Sequence, residues 1–263
     1  MKCLIFNFLL LIVSTLGFGQ TPKKAETATL KDCRLYYEVY GEGEPLFLLH
    51  GFFGSSKYWK SYVHEFENDF EVYLVDLTGH GNSSNFSNEI SIPEAAANLH
   101  TLIQYLGLEK VKAIGFSYGG DVLFHLAANN PDMVQSIIAI GGVGTWNAND
   151  FPDWIEYFSY KNIVDLQWVK ANQPDETRAK WLLDHFSSYV VFLSDEALAN
   201  IKANTLIVLG DNDDSIPLTE VTRIRNLMSS SALWIVPNTG HEANAGKNKK
   251  DFVRISKDFL NQK

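Results

Sequence analysis

Six short apolar runs constrain this chain more than any other feature. They fall at residues 46–49, 72–75, 111–115, 136–140, 206–209 and 233–236. Each is nearly continuous in Leu, Ile, Val and Ala, rather than alternating apolar with polar. A strand that reads this way is buried on both faces, which is the condition of a parallel sheet covered by helices on either side. Helical patterns separate the runs. Residues 56–66 have helical spacing, 94–106 read as a helix with Pro93 in its first turn, 118–129 as another, and 252–260 as a closing helix. Ahead of them, 27–30 and 34–40 read as a hairpin, closed by the turn Gly41-Glu42-Gly43-Glu44-Pro45. The fold class is therefore α/β, with a mostly parallel central β-sheet flanked by helices.

One stretch breaks the alternation. Residues 145–200 contain no convincing strand, yet lie between two sheet strands. They carry Trp146, Trp154, Trp168 and Trp181, with Phe151, Tyr157, Phe158, Tyr160, Phe186, Tyr189 and Phe192. A long insertion with its own helices forms a lid or binding element rather than a plain loop. Most of its aromatics should pack it onto the body, and a minority should line an apolar pocket.

The N-terminus reads as a processing segment. Lys2 precedes an apolar run at 4–13, and Gly17 and Gly19 supply small residues at alternating positions. The run is short for a spanning helix, which needs roughly 20 residues. The expected layout is a signal peptide at 1–19, a body at 20–144 and 201–263, and a helical cap at 145–200. The chain would then be exported, periplasmic or extracellular, with no stable membrane insertion after cleavage. Cleavage leaves Cys33 as the only cysteine, so no intramolecular disulfide is expected and an inert thiol is the better reading of it.

Composition excludes several functions. A net charge of −9 without a Lys/Arg-rich run argues against nucleic acid, because phosphate binding needs a basic face. Apolar residues make up 46% of 263, enough for a sizeable core. No His, Cys and Glu stand at metal-ligand spacing, and no phosphate loop or dinucleotide fingerprint sits in the right context. Neither a metal nor a cofactor is expected.

The chemistry is carried by Gly115-Phe116-Ser117-Tyr118-Gly119-Gly120, which fits G-x-S-x-G between an expected strand and an expected helix. A serine on so tight a strand-to-helix turn has its hydroxyl pushed clear of the sheet. The helix N-terminus also points N–H groups at any anion formed there. Farther on, three aspartates (Asp211, Asp213, Asp214) follow the run at 206–209, and His241 follows the run at 233–236. On a parallel sheet these groups emerge at one edge, where sites on such sheets lie.

With these motifs the sequence resembles the α/β-hydrolase family over nearly all of 27–263. His50-Gly51-Phe52-Phe53-Gly54 looks like the family's oxyanion loop, and Asp76-Leu77-Thr78-Gly79-His80-Gly81-Asn82-Ser83 like its D-x-x-G-H-G-x-S turn. The resemblance implies backbone oxyanion donors at Phe52 and Tyr118, and a triad in the chain order Ser117, an Asp, then His241. In similar proteins the acid lies three residues after a strand-ending Gly and four before a Pro. Gly210, Asp213 and Pro217 satisfy both spacings, which favours Asp213 over Asp211, read as a turn former. His80 reads as structural, and His50 as ordering its loop. His64, His100, His125 and His185 read as surface or packing residues. A serine nucleophile argues against haloalkane dehalogenase or epoxide hydrolase, whose relatives carry Asp there. The expected partner is a small-molecule ester, lactone or thioester. Cleavage of a C–C bond beside a ketone and a non-catalytic binding role on the same fold both stay open.

Overall fold

The computed structural model describes residues 21–262. The expected signal peptide, residues 1–19, lies outside the described residues. Strands occur as β1 (Lys24–Thr29), β2 (Arg34–Tyr40), β3 (Glu44–Leu49), β4 (Phe70–Val75), β5 (Val111–Phe116), β6 (Val134–Ile140), β7 (Thr145–Asn147), β8 (Val190–Phe192), β9 (Asn204–Gly210) and β10 (Ser231–Val236). The described α-helices are α1 (Val63–Phe66), α2 (Ile92–Tyr105), α3 (Tyr118–Asn129), α4 (Pro152–Tyr157), α5 (Gln167–Asn172), α6 (Glu176–Asp184), α7 (Asp195–Ala199), α8 (Leu218–Leu227) and α9 (Lys249–Leu260). Eight strands form one sheet in the order β1-β2-β4-β3-β5-β6-β9-β10. All pairs from β4 through β10 are parallel, while β2 is antiparallel to β4 and β1 to β2. This is the α/β-type sheet that the apolar runs imply, and all six runs are strands in it. Residues Leu46, Leu48 and Leu49 have no exposed surface, as a strand with neighbours on both sides requires.

Several local expectations change. The hairpin β1–β2 is closed at residues 30–33, where Leu30 N–H donates to Cys33 O. The turn at Gly41–Gly43 instead passes β2 into β3, which do not pair, because β4 lies between them. Residues 56–66 are a 3₁₀ segment (Ser56–Tyr62) followed by only one turn of α-helix, α1. Its first N–H is drawn to the buried Asp76 Oδ1, 2.6 Å away. Helix α2 starts two residues earlier than its pattern, since Ser91 caps it by accepting from Glu94 N–H.

Residues 145–200 were expected to lack strands, and this is corrected. β7 and β8 pair antiparallel, Thr145 with Phe192, Trp146 with Val191 and Asn147 with Val190. A three-residue strand has no readable period, which is why the pattern missed them. The ribbon draws the two ends of the insertion together, and the helices between them lie over the C-terminal edge of the main sheet. Helix α7, within the same stretch, packs on α3 and α8 of the body. No described helix is long and apolar enough to cross a membrane.

Candidate active site

Ser117 sits between β5 and α3 at φ 51°, ψ −117°, a conformation that a residue with a Cβ rarely adopts. The turn survives because its neighbours are glycines. A Cβ on Gly115 would lie 2.5 Å from the backbone of Gly119, and one on Gly119 would lie 2.5 Å from Leu49 O. Ser117 N–H donates to Ile140 O at 2.6 Å, and Ser117 O accepts from Gly120 and Asp121, so the turn is held on both sides. The hydroxyl faces a cavity of about 740 Å³.

His241 borders the same cavity. Its Nδ1 lies 2.8 Å from Asp213 Oδ2. The Asp213 side chain is fully buried whereas that of His241 keeps 28% of its surface, so the carboxylate is sealed and the imidazole reaches the cavity. Burial pushes the Asp213 carboxyl up, but hydrogen bonds from His241 and Ser215 and the imidazole's charge outweigh it and hold the group below its ordinary value. Asp211 takes the other role: its Oδ1 accepts from Thr239 N–H at 3.1 Å and ties the loop after β9 to the loop after β10. Asp214 is exposed. The structure thus brings Asp213 and His241 into contact and places Ser117 beside them on one cavity. No hydrogen bond joins Ser117 to the imidazole here.

Phe52 and Phe53 follow β3 in a loop that turns at Phe53, φ 63°. Among the described residues the N–H groups of Phe52 and Tyr118 donate to no other group of the chain, and Phe52 lines the cavity beside Ser117. His50 orders this loop. Its Nε2 accepts from Leu77 N–H at 3.1 Å, so its Nδ1 carries the proton given to Gly51 O at 2.8 Å. Burial pushes its pKa down, which keeps it neutral. His80 is buried, bonds Thr78 O through Nδ1, and packs against Phe52 with ring centroids 4.8 Å apart. Asp76 accepts from Ser56 N–H and from Asn82 N–H, so its carboxylate shapes the turn as expected.

The cap aromatics depart from expectation. Trp146, Trp154, Tyr157, Phe158, Trp168, Phe186 and Tyr189 all border the cavity, a majority rather than a minority of the insertion's rings. The same rings also pack on the body, as expected: Phe186 and Tyr189 belong to the main core cluster, and Trp146, Trp154 and Phe158 pack against it. Among the insertion's tryptophans Trp181 alone does not border the cavity and is stacked between Phe86 and His185. His64, His100, His125 and His185 do not border the cavity. Among the described residues no group of three or more His, Cys, Asp or Glu could hold a metal ion.

Two residues were missed from the sequence. Ser215 is buried; its Oγ donates to Asp213 Oδ1 at 2.6 Å and lies 3.2 Å from His241 Nδ1, while its N–H donates to the same Oδ1 at 3.0 Å. An Asp followed two residues later by Ser signals an Asx turn, and that signal was available. Asp121, in the first turn of α3, is buried and borders the cavity. Its signal was a lone carboxylate in an otherwise apolar helix.

The alpha/beta hydrolase fold family model matches residues 44–170. The chain is 25% identical to a 2-hydroxy-6-oxo-2,4-heptadienoate hydrolase of Pseudomonas putida, over 84% of this chain and 90% of the relative. It is 29% identical to a pimeloyl-[acyl-carrier protein] methyl ester esterase of Vibrio cholerae, over 51% of this chain and 52% of the relative. Its fold is similar to that of a carboxylesterase from Bacillus subtilis, with TM-score 0.74 and 18% identity, covering 90% of this chain and 91% of that one.

Proposed function

This chain is a hydrolase of the α/β-hydrolase fold, and from that premise we propose that it cleaves a small to medium carboxylic ester through an acyl-enzyme on Ser117. The observation that carries the reading is the shared cavity. A strained serine, an imidazole bonded to a sealed carboxylate and two undonated N–H groups border or adjoin one apolar space. In the reaction, Ser117 Oγ attacks the ester carbonyl and its proton passes to His241 Nε2. Asp213 holds Nδ1–H and stabilises the imidazolium. The N–H groups of Phe52 and Tyr118 receive the oxyanion. The imidazolium then gives its proton to the departing alcohol. Water, deprotonated by His241, attacks the acyl-enzyme and releases the acid. A cavity of about 740 Å³ is within the range for small-molecule sites, and its aromatic walls favour an apolar acyl group.

A second reading is C–C bond hydrolysis beside a ketone by the same groups, favoured by the likeness to the heptadienoate hydrolase. The deciding experiment assays p-nitrophenyl esters beside a vinylogous diketone, with wild type and Ser117→Ala in parallel. Ser117-dependent turnover of the esters supports the proposal. Turnover of the diketone alone favours the second reading, and fluorophosphonate labelling without turnover of either favours a binding role. We propose also that the protein is exported, on the strength of the apolar run at 4–13 and the Gly17/Gly19 spacing.

A further inference from the structure

We propose that Asp121 is a positioning residue: through the Tyr189 hydroxyl it holds the cap against Phe52 and Tyr118. Its consequence for rate rests on the ester-hydrolase reading above, while the geometry stands apart from it. Asp121 lies four residues after Ser117 on α3, with 3% of its surface exposed. Its Oδ2 accepts from Tyr189 O–H at 2.5 Å, and its Oδ1 accepts from Gly144 N–H at 2.8 Å. Gly144 immediately precedes β7 and Tyr189 immediately precedes β8. One carboxylate therefore pins both strands at the base of the insertion to the helix that carries the nucleophile.

The Tyr189 ring extends the contact to the oxyanion residues. It stacks on Phe52 at 5.0 Å and meets Tyr118 edge-on at 5.6 Å, and Phe52 meets Tyr118 at 5.4 Å. The three rings close a triangle, and two of them belong to the residues whose N–H groups are assigned to the oxyanion. If Tyr189 moves, Phe52 loses the ring on which it stacks, and its N–H is free to shift. A displacement of about 1 Å in a catalytic group is enough to cost rate heavily.

A structural filler would not need a carboxylate there. Among the described residues Asp121 has no Lys or Arg partner. The titratable groups facing it are Tyr189 from the cap, Tyr118 on its own helix and His241 from the loop after β10. An apolar side chain would fill the space without the cost of burying charge. The two carboxylate oxygens take the Gly144 N–H and the Tyr189 O–H separately and so fix the direction of both segments.

Tyr189→Phe removes the latch oxygen and keeps an aromatic ring at 189; Asp121→Asn keeps the shape of the carboxylate. Each should lower kcat on a p-nitrophenyl ester by about tenfold or more, a fraction of the loss of a whole oxyanion donor. KM should stay within about threefold, since no ring lining the cavity is removed. The double variant should be no slower than the worse single variant, because both cut one connection. Hydrogen exchange at the Ala148 amide, which donates to Tyr189 O at 3.0 Å, should be faster in Tyr189→Phe. Unchanged kcat, a rise in KM alone, or additive losses would overturn the proposal. If wild type shows no Ser117-dependent turnover, the ester reading falls instead. Exchange then decides: a faster Ala148 amide supports the latch, an unchanged one overturns it.

Discussion

Ser215→Ala isolates one hydrogen bond of the acid–base pair. Three donors meet the Asp213 carboxylate: His241 on Oδ2 at 2.8 Å, and Ser215 Oγ and N–H on Oδ1 at 2.6 and 3.0 Å. Alanine removes only the hydroxyl. A hydrogen bond to a charged acceptor is worth about 1.5–3 kcal/mol, or about 10- to 150-fold if all of it reached the transition state. Two donors remain, so the lower end applies and kcat should fall about tenfold. KM should hardly move, because the Ser215 hydroxyl, though at the cavity's edge, gives its proton to Asp213. The variant should also lose stability sooner on acidification. Asp213 is held below its ordinary 3.8, so its contribution is present above that value and lost as pH falls through the lower folded value. Removing a donor raises the folded value and moves the loss to higher pH. Initial rates on a p-nitrophenyl ester across about pH 5 to 9 give kcat and KM together. In an Asp213→Asn background the same change should have little further effect. A kcat within about twofold of wild type, or a loss as deep as that of Asp213→Asn, would refute the reasoning.

Ser117→Ala should remove ester turnover by about 10³-fold or more while the far-UV spectrum and melting stay those of wild type. Asp213→Asn should cost about 10⁴-fold in kcat, by stabilising the wrong imidazole tautomer, while Asp214→Asn, at an exposed position, should cost little. Replacing Trp146, Trp154 or Trp168 singly should shift the ratio of short- to medium-chain kcat/KM, whereas Trp181, stacked on Phe86 away from the cavity, should leave it unchanged. Burial pushes Asp121 up to about 6 from 3.8, so the fold is more stable when this group is protonated; stability from it should fall as pH rises from about 4 to about 6, by up to about 3 kcal/mol, and urea titrations of wild type against Asp121→Asn should show that difference. Mass spectrometry of protein from its host should find a mature N-terminus near Gln20, and intact Met1 on most of the material would refute export by cleavage.

The parallel body was legible because burial on both faces leaves an unmistakable pattern. Runs such as 46–49 and 206–209 are apolar at every position, and no surface element of a soluble protein reads that way. Pairing was less legible. Nothing in residues 41–45 tells whether the strands they join lie side by side, and here β4 intervenes between β2 and β3. Partnership between strands is decided by long-range packing, which a turn signal does not encode. The β7–β8 ribbon was hidden for a different reason: each strand is three residues long and is set by its partner across the base of the insertion.

The same division runs through the site. Residues whose role demands a particular backbone announce themselves: Ser117 needs glycines at 115 and 119, since a Cβ at either would collide with backbone 2.5 Å away. Residues whose role is to hold another residue do not. Ser215 matters because its hydroxyl happens to meet Asp213, and Asp121 because a tyrosine 68 positions later reaches it. Such pairings leave only a composition oddity behind, the lone carboxylate of a largely buried helix. That oddity has physical content. A buried carboxylate is costly unless hydrogen bonds offset the lost hydration, so its position in a core helix implies partners arriving from elsewhere in the fold. In α3 those partners are Gly144 N–H, just ahead of the cap, and Tyr189 O–H within it, which ties the cap to the helix that begins at Tyr118.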